Sequence, residues 1–236
     1  AKDSPDLMVV SHASNVIGLV SPVEELCSIA KKYGAVTVID MAQTAGLVNL
    51  NVGLETIDFA VFAGHKTLYG PTGIGGFAMM PDFELNPVLF GGTGFESANQ
   101  DMPSDIPQRY EMGTLNIAGI AGLHASLGWI LDERMDYLWE HEQLKRKELL
   151  KILRSYHFVK IVGDNESNQY VGIVSCVIDG LPSDTAASVF AEKNIAVRSG
   201  LQCAPLAHKT LGTFPSGTIR FSCSAFTGDD DFVQLS

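Results

Sequence analysis

The run Asp58-Phe-Ala-Val-Phe-Ala-Gly-His-Lys66 carries an apolar strand into a glycine-rich turn, Gly70-Pro-Thr-Gly-Ile-Gly-Gly76, and sets a single amine, Lys66, at the point of transfer. An amine so placed can form a Schiff base with an aldehyde. A second strand, Ala35-Val-Thr-Val-Ile-Asp40, ends its apolar run on a carboxylate, and Gln43 follows three residues later. A lysine for the aldehyde, a carboxylate for the ring nitrogen and a hydrogen-bonding side chain for the phenolic oxygen are the groups that pyridoxal phosphate needs. Cys203 adds a nucleophile of another kind. Gly200 and Pro205 flank it, which predicts an exposed, non-helical loop. Arg198, His208 and Arg220 are close enough in sequence to bring positive charge to the sulfur and favour the thiolate, the reactive form. Cys27 on a helix and Cys176 and Cys223 on strands read as core thiols. His12 and His124 sit in apolar surroundings with no metal-ligand spacing between them and read as packed side chains.

The elements that must hold these groups follow from pattern. Ser21-Pro-Val-Glu24 has the form of a capping box with proline at the first helical position, so a helix is expected from Pro22 to Tyr33, stopped by Gly34. With Leu7–Ser11 before it and Val36–Asp40 after it, this makes a βαβ unit with parallel strands, to which Phe59–Ala63 and Phe77–Met80 add. Ligands on such sheets gather at the carboxyl ends of the strands, where Asn15, Asp40, His65 and Lys66 fall. From Asn86 to Thr114 no regular period survives, and the segment reads as an ordered functional loop. A small-residue helix is expected over Leu115–Leu131 and one long amphipathic helix over Asp132–Ser155. After it the pattern alternates again: strands at Val159–Val162 and Ile173–Ile178, a helix at Ser183–Lys193, and strands at Ala196–Ser199 and Thr218–Cys223. The division expected is 1–131 as part of a large domain and 132–236 as a linking helix with a smaller α/β domain.

Composition narrows the class. The 236 residues are 46% hydrophobic, enough for a proper core, and carry a formal charge of −11, which argues against a nucleic-acid footprint. Four cysteines without CxxC spacing favour a reducing cytoplasm over a disulfide framework or a zinc site. No apolar run is long enough to span a bilayer, so no membrane partner is expected. Asp6-Leu-Met-Val-Val-Ser11 reads as an already buried strand, which leads us to expect further chain upstream.

These pieces resemble, in order, the class V aminotransferase superfamily of fold-type I pyridoxal-phosphate enzymes, and within it the group II cysteine desulfurases. The matching segments are His12-Ala-Ser-Asn15, Asp40-Met-Ala-Gln43, Gly64-His-Lys-Thr-Leu-Tyr-Gly-Pro-Thr-Gly73, Glu111-Met-Gly-Thr-Leu-Asn116, Arg198-Ser-Gly-Leu-Gln-Cys-Ala204 and Arg220-Phe-Ser222. The resemblance covers roughly the C-terminal three-fifths of such an enzyme. It implies an α/β fold with part of a mostly parallel large-domain sheet. It implies that pyridoxal 5'-phosphate is held by Lys66, with Asp40 at its ring nitrogen, Gln43 and Asn15 at its phenolic oxygen or on the substrate side, and His65 at its phosphate. Thr114 would reach the phosphate of a partner subunit, so a homodimer is implied. Arg220 would take the substrate carboxylate, and Cys203 would receive sulfur from L-cysteine and pass it to an acceptor protein in iron–sulfur cluster assembly. Ala63 replaces a serine common in relatives, and Gln202 stands where histidine is frequent. A selenocysteine lyase, another class V lyase or transaminase, and a non-catalytic fragment are the alternatives.

Overall fold

A computed structural model of the chain describes residues 4–96 and 98–235. Two four-stranded sheets organise it. The first has the order β1(Leu7–Ser11), β2(Val36–Asp40), β3(Phe59–Ala63), β4(Gly75–Met79), the first three parallel and β4 antiparallel to β3. Ser11 pairs with Asp40 and Asp40 with Val61, so the carboxyl ends of the three parallel strands lie at one edge. This is the βαβ arrangement expected from sequence, with α1(Val23–Lys32) as the crossover.

The first sheet's inner face buries Ile39 and Ala60 against Val23 and Cys27 of α1, and against Leu47, Ile57 and Leu68 from the intervening turns. Its outer face presents Leu7 (54% exposed), Val9 (65%) and Phe77 (46%). Alternation along β1 is therefore strict, and the expectation of an already buried strand fails at Leu7 and Val9. A buried carboxylate braces this layer: Asp58, just before β3, accepts from Lys31 Nζ at 2.6 and 2.5 Å and from the Thr37 amide at 2.8 Å, joining α1, β2 and β3.

The second sheet is antiparallel throughout, in the order β5(Val159–Ile161), β6(Ile173–Ile178), β8(Thr218–Ser222), β7(Arg198–Gly200). Its core is Val174, Cys176, Ile219 and Phe221 under α4(Ser183–Glu192) and the second half of α3(Met135–Ser155), which contributes Leu149, Leu150 and Leu153. The first half of the same helix gives Leu138 to the other core. One helix thus belongs to both apolar clusters. Arg146 and Arg154 on α3 fasten it to Asp164 at 2.7 and 2.5 Å.

Several expectations are corrected. Ser21 makes no side-chain cap: α1 starts at Val23, which leaves Pro22 at the cap position. Gly34 does end that helix, with φ +77. The two expected helices after Thr114 are α2(Ile117–Glu133) and α3, separated by Arg134 at φ +69 rather than before Asp132. Asn116 caps α2 by accepting from the Gly119 amide. The strand expected at Ala196–Ser199 runs over Arg198–Gly200, because its ladder partners on β8 are Thr218 to Arg220. Two short helices, α5(Pro205–Thr210) and α6(Asp230–Val233), lack the length that makes a period visible.

Gly172, at the start of β6, is enclosed: a Cβ there would lie 2.6 Å from the Cys223 carbonyl oxygen and 2.6 Å from Glu142 Cγ. Gly172→Ala is expected to lower stability by about 2 kcal/mol through overpacking, read as a shift in the urea midpoint at unchanged slope.

Candidate active site

The carboxyl edge of the first sheet gathers most of the expected groups. β2 ends on Asp40, which is exposed, and its Oδ1 accepts from the Ala42 amide at 2.8 Å. That contact is the local cap an aspartate makes at a strand end, and it engages one carboxylate oxygen. On the adjacent parallel strand β3, His65 and Lys66 follow Ala63 and are also exposed. The backbone between them turns sharply. Gly64 donates to the Ile74 carbonyl and Gly70 to the Gly64 carbonyl, at 2.9 and 2.7 Å, and a Cβ on Gly70 would lie 2.8 Å from that Gly64 oxygen. The glycines are needed for this close approach, and they fix where the Lys66 amine emerges.

A cleft of about 160 Å³ opens beside Lys66 and is lined by Gln43, Thr67, Tyr69, Glu142 and Arg220 among others. It brings Gln43, Lys66 and Arg220 together across the two sheets. Arg220 projects from β8 and donates through Nη1 to the Asn15 carbonyl at 2.8 Å. Burial, with the Arg198 guanidinium of the neighbouring strand acting the same way, presses its pKa down. Arg220 Nε and the Thr67 hydroxyl are buried without a partner. Orphaned donors on a cleft wall suit an anionic ligand group.

Glu142 of α3 forms part of the wall. Its carboxylate accepts from the Gly172 amide at 2.5 Å, yet burial pushes its pKa from 4.5 to about 7, the amide contact opposing the shift. Sequence reasoning missed this residue, since on a charged amphipathic helix a glutamate carries no mark of burial. Tyr69, at φ +55, stacks edge-on against Trp129 and Phe226 with centroids at 5.3 and 5.2 Å, and its hydroxyl accepts from the Ala225 amide. This ties the turn carrying Lys66 to the segment after β8.

Cys203 is exposed, as its flanking residues suggested, while Cys27, Cys176 and Cys223 are buried; burial raises the last two to about 12. Arg198 Nη2 lies 3.9 Å from the Cys203 sulfur. His208 is not among the groups facing it: it is fully buried and bonded to Gln202 and Thr213. Asn15 reaches the Cys203 loop, its Nδ2 donating to the Gln202 carbonyl at 2.8 Å. Thr114 is exposed on the segment before α2, which Asn116 ties to the glycine turn through a 3.1 Å bond to the Gly73 carbonyl. Of the histidines read as packed, His12 is buried beside Thr44, whereas His124 is exposed on α2. Among the described residues no cluster of three potential metal ligands occurs, and no helix is long and apolar enough to cross a membrane.

Comparison with known proteins gives a consistent picture. The family model described as Aminotransferase class-V matches residues 1–235. A probable cysteine desulfurase of Methanothermobacter thermautotrophicus is 34% identical over 235 residues, covering 97% of this chain and 58% of the relative. One from Pyrococcus abyssi is 34% identical, covering 92% and 54% respectively. The apo structure of a cysteine desulfurase from Thermococcus onnurineus superposes with a TM-score of 0.87 at 33% identity, over 98% of this chain and 58% of that one. The S-sulfonic acid form of the Escherichia coli cysteine desulfurase CsdA gives 0.84 at 26% identity, over 97% and 57%. The chain thus spans a little over half the length of these relatives.

Proposed function

The chain belongs to the aminotransferase class-V family, and from that premise we propose that it is the cofactor- and sulfur-handling part of a pyridoxal-phosphate-dependent cysteine desulfurase. Its fold is fold type I of the pyridoxal-phosphate enzymes, of which it carries part of the parallel sheet and the smaller α/β layer. The observation that carries the reading is the meeting of Gln43, Lys66 and Arg220 in one cleft, with an exposed thiol, Cys203, on a loop joined to that cleft through Asn15.

The residues fit the cofactor. Asp40 and Lys66 stand at the ends of adjacent parallel strands, and Lys66 lines the cleft with Gln43, Thr67 and Arg220, the last two with a buried, unpartnered polar atom each behind its wall. When bound, pyridoxal phosphate supplies an electron sink for charge released at the substrate Cα. Lys66 would hold it covalently and would serve as the base that takes and returns the Cα proton. Asp40 would keep the ring nitrogen protonated, Gln43 and Asn15 would serve the phenolic oxygen or the substrate side, and His65 the phosphate. Arg220 takes the substrate carboxylate through its planar fork. Cys203, as thiolate, bonds to the sulfur of L-cysteine; the substrate's carbon–sulfur bond breaks, and the products are alanine and a Cys203 persulfide, with no external oxidant.

On this reading 1–131 is large-domain chain and 132–236 the linking helix and small domain. The active form is a cytoplasmic homodimer in which Thr114 reaches the partner's phosphate, and an acceptor protein collects the sulfur for iron–sulfur cluster assembly. Four free thiols among the described residues support a reducing compartment.

The test is mass spectrometry after incubation with pyridoxal phosphate and borohydride reduction. An adduct on Lys66, absent in Lys66→Ala, is expected, as is persulfide on Cys203 after addition of L-cysteine. Label on another lysine, or none, overturns the cofactor reading, and Cys203→Ala that still releases sulfur to an acceptor at the unaltered rate overturns the role of the thiol.

A further inference from the structure

Cys203 and the residue before it both adopt left-handed backbone conformations, with φ +43 at Gln202 and +60 at Cys203. For side-chain-bearing residues such conformations are disfavoured, and two in succession persist only where the surroundings over-determine them. The surroundings here are specific. Gln202 is 4% exposed although its neighbour Cys203 is at the surface. Its Nε2 donates to the carbonyl oxygens of Arg198 and Thr218 at 3.4 and 3.3 Å. Both are pure acceptors, which fixes the orientation of the amide. Its Oε1 therefore faces His208 Nε2 at 2.8 Å, and the Thr218 hydroxyl, at 3.2 Å, can donate to it as well. An amide oxygen cannot donate, so the proton on His208 sits on Nε2. Nδ1 is then bare and accepts from the Thr213 hydroxyl at 2.7 Å. His208 is fully buried, and burial favours this neutral form.

Every donor and acceptor of the Gln202 side chain is thereby used. The network also leaves the small sheet. The Gln202 carbonyl receives Asn15 Nδ2, Arg220 donates to the Asn15 carbonyl, and Ser175, 3.3 Å from the Thr218 hydroxyl, donates to the Val16 carbonyl at 2.5 Å. Three separate bonds converge on two consecutive residues beside the cleft.

We propose that Gln202 and His208 are positioning residues for sulfur transfer: their buried amide–imidazole pair holds the left-handed turn that presents Cys203 beside Arg198 and in register with Asn15 and Arg220. The inference deepens the desulfurase reading and rests on it for its purpose, but its test reads the thiol alone.

Cys203 is the exposed cysteine among four, so its second-order rate with iodoacetamide can be followed by peptide mass spectrometry, with Cys27, Cys176 and Cys223 as internal reports of folding. At neutral pH, Gln202→Met and His208→Leu are each expected to slow Cys203 alkylation roughly fivefold, because the turn no longer holds the sulfur exposed and 3.9 Å from Arg198 Nη2. His208→Gln, which restores a donor to Gln202, is expected to recover most of the rate, and the double variant to match either single one. Rates unchanged in Gln202→Met and His208→Leu, with the other thiols still protected, overturn the proposal; so does a deficit that His208→Gln leaves in place. Should the Met and Leu variants expose the buried thiols, the nitrogen NMR of His208 in the unaltered protein decides. A neutral ring protonated at Nε2 supports the pair, and an Nδ1–H tautomer or an imidazolium at neutral pH overturns it. Failure of the Lys66 adduct experiment leaves these outcomes unaffected, so the two ideas fail separately.

Discussion

Asp58→Ala is expected to lower the stability of the folded chain by about 3 kcal/mol, measured as a fall in the urea midpoint. The carboxylate is nearly inaccessible and carries four contacts, two from Lys31 Nζ, one from the Thr37 amide and one from the Thr37 hydroxyl at 3.1 Å. Removing it strands the Thr37 amide, a buried donor. Lys31, at 30% side-chain exposure, can swing partly into water, which keeps the loss below that of a fully enclosed pair. Asp58→Asn retains an acceptor for Thr37 and is expected to lose roughly half as much. A drop under about 0.5 kcal/mol in Asp58→Ala contradicts this account of the brace.

The second large effect depends on pH. Glu142 binds its proton more tightly in the folded chain, with a pKa near 7 against 4.5. Neither basic neighbour on α3 neutralises it: Lys145 is engaged by Asp229 and Arg146 by Asp164. The sign follows from linkage. Below pH 4.5 both folded and unfolded chains carry the proton, between 4.5 and 7 only the folded chain does, and above 7 neither does. Stability from this site is therefore full at acid pH and lost as pH rises through about 7, amounting to about 3 kcal/mol. Glu142→Gln keeps an oxygen for the Gly172 amide but cannot ionise. It is expected to match the parent chain near about pH 4 and exceed it by about 3 kcal/mol near about pH 8. Parallel stability profiles for the two proteins across that interval contradict the assignment.

The sequence was most legible where period, punctuation and length agree. β1, β2, β3 and β6 fall at the expected residues, because short apolar runs beside glycine or aspartate leave little freedom. The order of the parallel strands followed from the chain rules for βαβ units and brought Asp40 and Lys66 to neighbouring strand ends. What remained hidden depends on tertiary partners. The start of β7 is set by β8, the burial of Glu142 by Gly172 and Cys223, and the burial of His208 by a glutamine six residues upstream. Proximity in sequence suggested that His208 would face the thiol. The helix that opens at Pro205 turns it inward instead, onto the neighbour of that thiol. At Ser21 the capping motif was present, but the helix begins too late to use it.

The shared helix α3 has a thermodynamic corollary. Its 21 residues give Leu138 to one apolar cluster and Leu149, Leu150 and Leu153 to the other, so neither half of the molecule can melt while this rod stays intact without tearing side chains from a still-ordered neighbour. Heat or denaturant therefore meets a single cooperative unit rather than two independent lobes.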